Sequence, residues 1–337
     1  MKIFIIGLGS IGRRHLKNLF TLGVTDFIVL TKGHCPLPNT DLPNFRKVSS
    51  LEAGLAEQPT AIIICNPTSM HLETAMAAAR RGCHIFLEKP ISHTLEGVGE
   101  LKDIVGELGL VVQVGFQFRY HLVFQQMKKA IEQGQIGRVV GAQAHWGEYL
   151  PDWHPWEDYR NGYSARKDLG GGVLLTLCHP FDYMRFLVGE VEQVSAIGGQ
   201  LSDLEIDTED IALVSLKYES GAVGSVYLDY VSRPPKHRVE IIGTDGRIEW
   251  DGTFGEAKIY YGGGRKFTVI QPNNFIERNE MFLAEMADFL QCIHSGKTPG
   301  CTLEDGIKAL RIALMAKHQV SSKPMVSIYA QPVLETS

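Results

Sequence analysis

Two residues in this chain, Lys89 and His179, are of types that can handle a hydroxyl group. Lys89 follows a short apolar run, His84 to Leu87, and precedes Pro90. Proline disfavours helical geometry at the residue before it, so Lys89 is held extended or in a turn at a strand's carboxyl end, where a cis X-Pro bond is affordable. His179 lies in the segment from Val173 to Leu187. If that segment is helical, Thr176, His179, Asp182 and Tyr183 share one face at spacings of three and four. Oxidising a carbinol to a ketone removes hydride from carbon and a proton from oxygen. An imidazole near its ordinary pKa of about 6.5 exchanges that proton at neutral pH, and a positioned ammonium stabilises the alkoxide. Each residue also has a plainer reading, a solvated lysine or a satisfied core histidine. Cys178 adjoins His179 but points elsewhere on a helix, which disfavours a Cys–His nucleophile pair. Pro180 marks a kink or a helix boundary.

The hydride needs an acceptor, and the N-terminus is built to hold one. Ile3 to Ile6 is apolar, breaks at Gly7, and continues through Gly9 and Gly12 into an amphipathic segment with Leu16, Leu19 and Phe20. In a strand, glycine turn and helix of this kind, Gly7 permits the bend and Gly9 lets a pyrophosphate reach the backbone. Gly12 lets helix and strand pack closely. The N–H groups of Ser10 and Ile11 lie at the helix's positive end, where phosphates bind. Glycines also mark ordinary tight turns, but the flanking strand and helix favour dinucleotide binding.

A second strand, Phe27 to Leu30, ends at Thr31 and Lys32, where an acid would bind the ribose of NAD. A hydroxyl and an ammonium suit a 2′-phosphate better, which tilts the cofactor from NAD toward NADP. Arg13 and Arg14 lean the same way, because cations in a helix's first turn oppose its dipole unless an anion is near. Ala61 to Cys65 is a continuous apolar run typical of a buried parallel strand. It ends at Asn66-Pro67-Thr68, and a helix from Met70 to Arg81 follows. Such strand ends line the cofactor crevice, so Asn66, Pro67, His71 and Glu88 join the cofactor candidates by position. Val111 to Gly115 reads as the last parallel strand. Gln117 and Arg119 leave its end, Gln117 toward the cofactor and Arg119 toward the substrate.

The Gly7–Gly12 turn, Asn66-Pro67-Thr68 with His71, Glu88-Lys89-Pro90, and Gly170-Gly171-Gly172 leading to His179 and Asp182 together resemble the Gfo/Idh/MocA family of NAD(P)-dependent sugar oxidoreductases. The stretch from Trp153 to Arg160 resembles members encoded among surface-polysaccharide and sugar-nucleotide genes. The resemblance implies that Lys89 contacts the substrate hydroxyl and that His179 is the acid/base. It also implies an open sheet that often forms oligomer contacts. Thr176 departs from the pattern, standing where relatives usually carry an aspartate. The imidazole then lacks that partner, or Asp182 serves from the other side. A cofactor-sensing protein without turnover is one alternative, and a nicotinamide-dependent glycosidase is another.

The elements that position these residues follow from length and periodicity. At 337 residues the chain suits two domains. Residues 1–120 are expected to form an α/β Rossmann domain with a doubly wound parallel sheet. Residues 121–337 are expected to form an α+β substrate-binding and oligomerisation domain with a large, mostly antiparallel open sheet. In the second part Gly137–Tyr149, Val191–Gly198, Ile211–Tyr218, Ala222–Tyr230, His237–Ile242 and Ala257–Tyr261 read as strands joined by turns. Two helices, Glu280 to His294 and Leu303 to Val320, are expected to close that body. Aromatic residues concentrate from Trp146 to Tyr163. Trp153, Tyr159 and Tyr163 suit the mixed faces of a sugar, while Arg160 and Arg166 suit the phosphates of a nucleotide sugar. Core packing or a subunit interface is the other use for such rings.

A net charge of -5 with no basic stripe disfavours nucleic acid as a partner. The first apolar run is too short for a signal sequence or a membrane span, so the chain reads as soluble and cytoplasmic, without a membrane partner. Six scattered cysteines without a CxxC pair indicate neither a zinc site nor disulfides, and no metal is assigned. A small carbohydrate is the expected substrate, and a homodimer or homotetramer through the C-terminal sheet the expected assembly.

Overall fold

The computed structural model describes residues 1–31, 41–264, 266–271 and 278–322. Apolar runs set the first sheet. Strands β1 (Lys2–Ile6), β2 (Asp26–Leu30), β3 (Arg46–Val48), β4 (Ala61–Ile64), β5 (His84–Leu87) and β6 (Val112–Val114) lie in the order β3-β2-β1-β4-β5-β6, all parallel. All four residues of β4 are fully buried, as a strand covered on both faces requires. Helices α1 (Ser10–Thr21), α2 (Leu51–Ala56), α3 (His71–Ala79) and α4 (Val98–Glu107) supply the crossovers. Strand order reverses between β1 and β4, which makes their carboxyl ends the crevice of a doubly wound fold. Phe20 is half exposed and contributes less to the core than its place in α1 suggests.

Helix α5 (Leu122–Glu132) carries the chain into an eight-stranded sheet. It contains β7 (Val139–Gly147), β8 (Val191–Gly199), β9 (Ile211–Tyr218), β10 (Val223–Asp229), β11 (Lys236–Gly243), β12 (Gly246–Asp251), β13 (Glu256–Tyr261) and β14 (Lys266–Ile270). Their order is β14-β13-β12-β11-β7-β10-β9-β8, and every pair is antiparallel except β7 with β10. Alternation decides the faces. Ala212, Val214, Leu216 and Tyr218 are buried, whereas Ser215 and Lys217 between them are exposed. Two short helices, α6 (Val173–Thr176) and α7 (His179–Val188), pack on the inner face together with α9 (Leu303–Ser322).

The single helix expected from Val173 is therefore two, broken at Leu177 and Cys178, with Pro180 in the first turn of α7. Proline is tolerated there because the missing N–H would be unpaired anyway. A second difference concerns α8 (Asn279–Ser295), which packs against α1 and the parallel sheet and not the antiparallel body. Phe289 meets Phe86 of β5 at a centroid distance of 5.7 Å, and Gln113 of β6 donates to the Glu285 carbonyl over 2.7 Å. The apolar stripe of α8 identifies a helix but carries no address. Among the described residues no helix is long and apolar enough to cross a membrane.

Candidate active site

The glycine turn is sterically fixed at two of its three glycines. Gly7 has φ +91, and a Cβ there would stand 2.5 Å from the Cys65 carbonyl oxygen. A Cβ on Gly12 would stand 2.0 Å from the Gly7 oxygen, whereas Gly9 faces open space. Gly9 caps α1 with no side-chain hydrogen bond, and the first turn carries no acidic residue. The positive end of α1, with Ser10 and Ile11, thus meets open space that suits a phosphate. Arg13 donates through Nε to the Leu8 carbonyl over 3.1 Å, and the Arg14 guanidinium lies 4.4 Å from the Phe282 ring centre. Burial lowers the Arg14 pKa, with nearby Arg278 adding to it. Thr31 follows β2; Lys32 lies outside the described residues.

The end of β4 contributes a buried oxygen without a partner, Oδ1 of Asn66, while its Nδ2 donates to Thr74 Oγ1 over 3.1 Å. Pro67 opens the following turn. His71 is buried and differs from the cofactor role expected by position. Its Nδ1 lies 2.8 Å from the Pro90 carbonyl and its Nε2 lies 2.8 Å from the Asn66 carbonyl. A backbone carbonyl faces each ring nitrogen, and the neutral imidazole donates to one of the two, which ties His71 to the backbone of the crevice loops.

Strand β5 runs into Glu88 and Lys89, and the Lys89–Pro90 bond is cis. Glu88 is buried and its Oε1 lies 2.7 Å from Nε2 of the fully buried His15. Burial would raise the Glu88 pKa, but the hydrogen bond and charge of His15 hold it below the usual carboxylate value. Lys89 Nζ donates to the Thr176 carbonyl over 2.8 Å. Burial works against its charge, yet the surrounding acidic groups, Tyr163, Cys178, Glu88 and Glu148, keep its pKa above the ordinary lysine value. Among these Glu88, its carboxyl held below the usual value, is charged at neutral pH.

His179 is buried, stacked on Trp146 at 5.3 Å, with the edges of Phe116 and Phe118 at 5.6 and 5.4 Å. Its Nε2 is 3.5 Å from Gln117 Nε2, the outer limit of a hydrogen bond, and its Nδ1 has no partner among the described residues. Burial, then Lys89, His237 and Arg278, push its pKa well below the ordinary imidazole value, so the near-neutral titration expected from sequence is corrected. The ring is a neutral acceptor poised beside a fixed cation.

Asp182 does not touch this imidazole. It accepts from Arg119 Nε at 2.9 Å and Nη2 at 2.7 Å. Arg119 also donates to Asp305 at 2.9 Å and to the Gly300 carbonyl at 3.1 Å. Burial would lower the Arg119 pKa, but Asp182 and Asp305 override it and hold the guanidinium charged. Asp182 is thus paired with Arg119 and not with His179. The planar guanidinium matches a carboxylate bidentately, and further bonds go to Gly300 just before α9 and to Asp305 in its first turn.

The aromatic stretch divides. Trp153 sets its edge on Tyr230 at 5.5 Å, and its indole nitrogen is buried without a partner. Tyr159 accepts from the Glu205 N–H at 3.2 Å, and Tyr163 lies close enough to Lys89 to bias its charge. Arg160 is held by Asp158 and Glu205, and Arg166 by Asp168. These surface pairs occupy the guanidinium groups that sequence assigned to phosphates. A cavity of about 1260 Å³ opens beside the site, walled by Gln117, Trp146, Glu148, His237, Trp250 and Arg278. Of these, His237 had a sequence signal, since it shares the apolar alternation of Val239 and Ile241 on β11.

Residues 1–116 match the oxidoreductase family with an NAD-binding Rossmann fold, and residues 124–249 match the GFO/IDH/MocA C-terminal domain. The chain is 29% identical to myo-inositol 2-dehydrogenase of Thermotoga maritima over 97% of its length and 98% of the relative's. It is 30% identical to scyllo-inositol 2-dehydrogenase (NAD(+)) of Bacillus subtilis, covering 93% and 92% of the two chains. The UDP-N-acetylglucosamine 3-dehydrogenase structure from Acidithiobacillus ferrooxidans superposes with a TM-score of 0.77 at 24% identity, over 95% of this chain and 97% of that one, and so shares the fold.

Proposed function

The chain belongs to the GFO/IDH/MocA family of NAD-binding oxidoreductases, and from that premise we propose that Lys89 and His179 interconvert a secondary hydroxyl and a ketone on a sugar or sugar derivative, nucleotide sugars included. The observation that carries this reading is Lys89 itself, a charged ammonium pinned at the carboxyl end of β5 beside a buried, neutral His179.

The crevice fits a dinucleotide, because Gly9 leaves open space at an uncapped helix N-terminus and Asn66, at the end of β4, keeps a buried oxygen without a partner. Ser10 and Ile11 would hold the pyrophosphate through their N–H groups, and Thr31 would face the ribose. Pro67, Glu88, Lys89 and Gln117 would border the nicotinamide, which when bound accepts or returns the hydride. Lys89 Nζ donates to the substrate oxygen and stabilises its alkoxide character in a dry pocket. His179, neutral, takes the hydroxyl proton at Nε2, the nitrogen on the Gln117 side, during oxidation and gives it back during reduction. Phe116, Phe118 and Trp146 keep bulk water from that proton.

Thr31, in place of an acid, supports NADP over NAD, while Arg13 and Arg14 add less because their side chains engage Leu8 and Phe282. We read residues 1–120 as the cofactor unit and 121–337 as the substrate and assembly unit, with α8 returning to the first. The outer face of the eight-stranded sheet exposes Ile197 and Val223 and suits a second copy, in a dimer or tetramer that light scattering would size. The free cysteines suit the cytoplasm.

The test is a nicotinamide-fluorescence titration with NADPH and NADH, followed by a panel of keto-sugars in the same cuvette. Binding with fluorescence lost on one sugar supports the reductase. Binding of neither cofactor overturns the reading at Gly7, and binding without loss on any sugar overturns the assignment of turnover.

A further inference from the structure

His237 of β11 stands opposite Trp146 of β7 on the inner face of the sheet. The two rings stack at 4.1 Å and 18°, and the same indole stacks on His179 at 5.3 Å. The Trp146 indole N–H donates to Glu148 over 2.8 Å, which fixes the plane on which His237 rests. His237 lines the large cavity, as do Glu148 and Arg278.

Tyr183 supplies the second observation. It is fully buried, and its hydroxyl lies 3.1 Å from His237 Nε2. Among the described residues that hydroxyl has no other hydrogen-bond partner. A buried O–H without an acceptor is costly, so the phenol donates and Nε2 accepts. Burial also pushes the His237 pKa down to about 3, helped by His121 and His145, and a neutral imidazole carries one N–H. That hydrogen is then on Nδ1, for which no described residue offers an acceptor.

We propose that His237 is a substrate-binding residue, presenting Nδ1–H to an acceptor oxygen of the sugar, and that Tyr183 is a positioning residue that sets this tautomer through Nε2. The inference rests on the sugar-oxidoreductase reading above. It adds a contact apart from the Lys89–His179 pair, so it governs how the sugar is held and not the proton transfer.

Long-range proton–nitrogen NMR of the full chain labelled at histidine reads the tautomer directly. The expected spectrum has Nδ1 protonated in the wild type and Nε2 protonated in Tyr183→Phe. This arm needs no substrate, so it stays decisive if the reaction has been misread. Kinetics on the keto-sugar that the panel identifies form the second arm. In His237→Asn the amide nitrogen replaces Nδ1, and KM stays within about twofold; in His237→Gln it replaces Nε2, and KM rises about three- to tenfold, the loss of one neutral hydrogen bond. In both variants the NADH dissociation constant is unchanged. Protonation at Nε2 in the wild type, or equal KM values for the Asn and Gln variants, overturns the proposal.

Discussion

The ammonium of Lys89 donates to the carbonyl oxygen of Thr176 over 2.8 Å, tying the end of β5 to the break between α6 and α7. One N–H is used in holding the side chain, and two remain for a substrate oxygen and its surroundings. Lys89→Met should fold and bind NADH as the wild type does, while kcat falls by about 10²-fold or more, the scale of removing one preorganised donor. Unchanged turnover in that variant would remove Lys89 from the reaction.

Thr176→Asp restores a carboxylate near His179 and Lys89. A negative charge there favours the imidazolium, so the acid limb of the pH profile of kcat/KM should move to higher pH. Thr176→Asn, of similar shape and without charge, should leave the limb where it is. If both variants shift it equally, the effect is packing and not charge.

The glycine turn makes separable predictions. In Gly12→Ala the new Cβ meets the Gly7 oxygen at 2.0 Å, a backbone clash that no side-chain motion relieves, so the melting temperature should drop. Gly9→Ala meets nothing, so stability should hold while NADH binding weakens, because the methyl occupies space a pyrophosphate needs. Fluorescence titration and thermal unfolding of both variants separate the roles. Unweakened NADH binding by Gly9→Ala would place the phosphates elsewhere.

What sequence could read here was what periodicity and local backbone chemistry encode. The glycine turn, the apolar β4 run and the Lys89-Pro90 dipeptide each carry their structural reason within a few residues. Strands β12 and β14 and helix α4 escaped, since Gly246–Asp251 is dense in charge, Lys266–Ile270 is mostly exposed and Val98–Glu107 buries only Val98 and Leu101. Partner choice was illegible for a different reason. Asp182 faces the same way as His179 along the chain, but Arg119 and Asp305, distant in sequence, decide where its oxygens go. The pKa of His179 is likewise set by Trp146, Phe116 and Phe118 closing over it, which a count of neighbours in sequence does not reveal.

Arg119→Met tests the structural role of that ion pair. Removing the guanidinium leaves Asp182 with Arg185, 3.6 Å away, as its remaining cation, so the loss should stay below the about 3–5 kcal/mol of a fully unpaired buried charge. Adding Asp182→Asn should recover part of it by removing the weakly paired charge. Urea unfolding of the two variants measures both steps. A single variant as stable as the wild type would return Arg119 to the list of groups free to meet a substrate.

Buried neutral histidines give the protein an acid-sensitive fold. His121, packed between Phe118, Phe124 and Trp250, has its pKa pushed down to about 4 by burial, and His237 to about 3. In the unfolded chain both titrate near 6.5, so above about pH 6.5 their contribution is complete. As pH falls below that value the unfolded state binds protons that the folded state refuses, and stability declines down to the folded pKa. For His121 alone the loss between pH 6.5 and pH 5 is roughly 2 kcal/mol. His121→Leu should therefore flatten the decline in unfolding free energy over that range, because leucine takes up no proton in either state. The comparison is made by urea denaturation at pH 7.5, 6.5 and 5 (about one to one and a half units apart, the span over which a histidine changes charge). Parallel slopes for wild type and variant would mean that His121 is already protonated in the fold, contrary to its apolar surroundings.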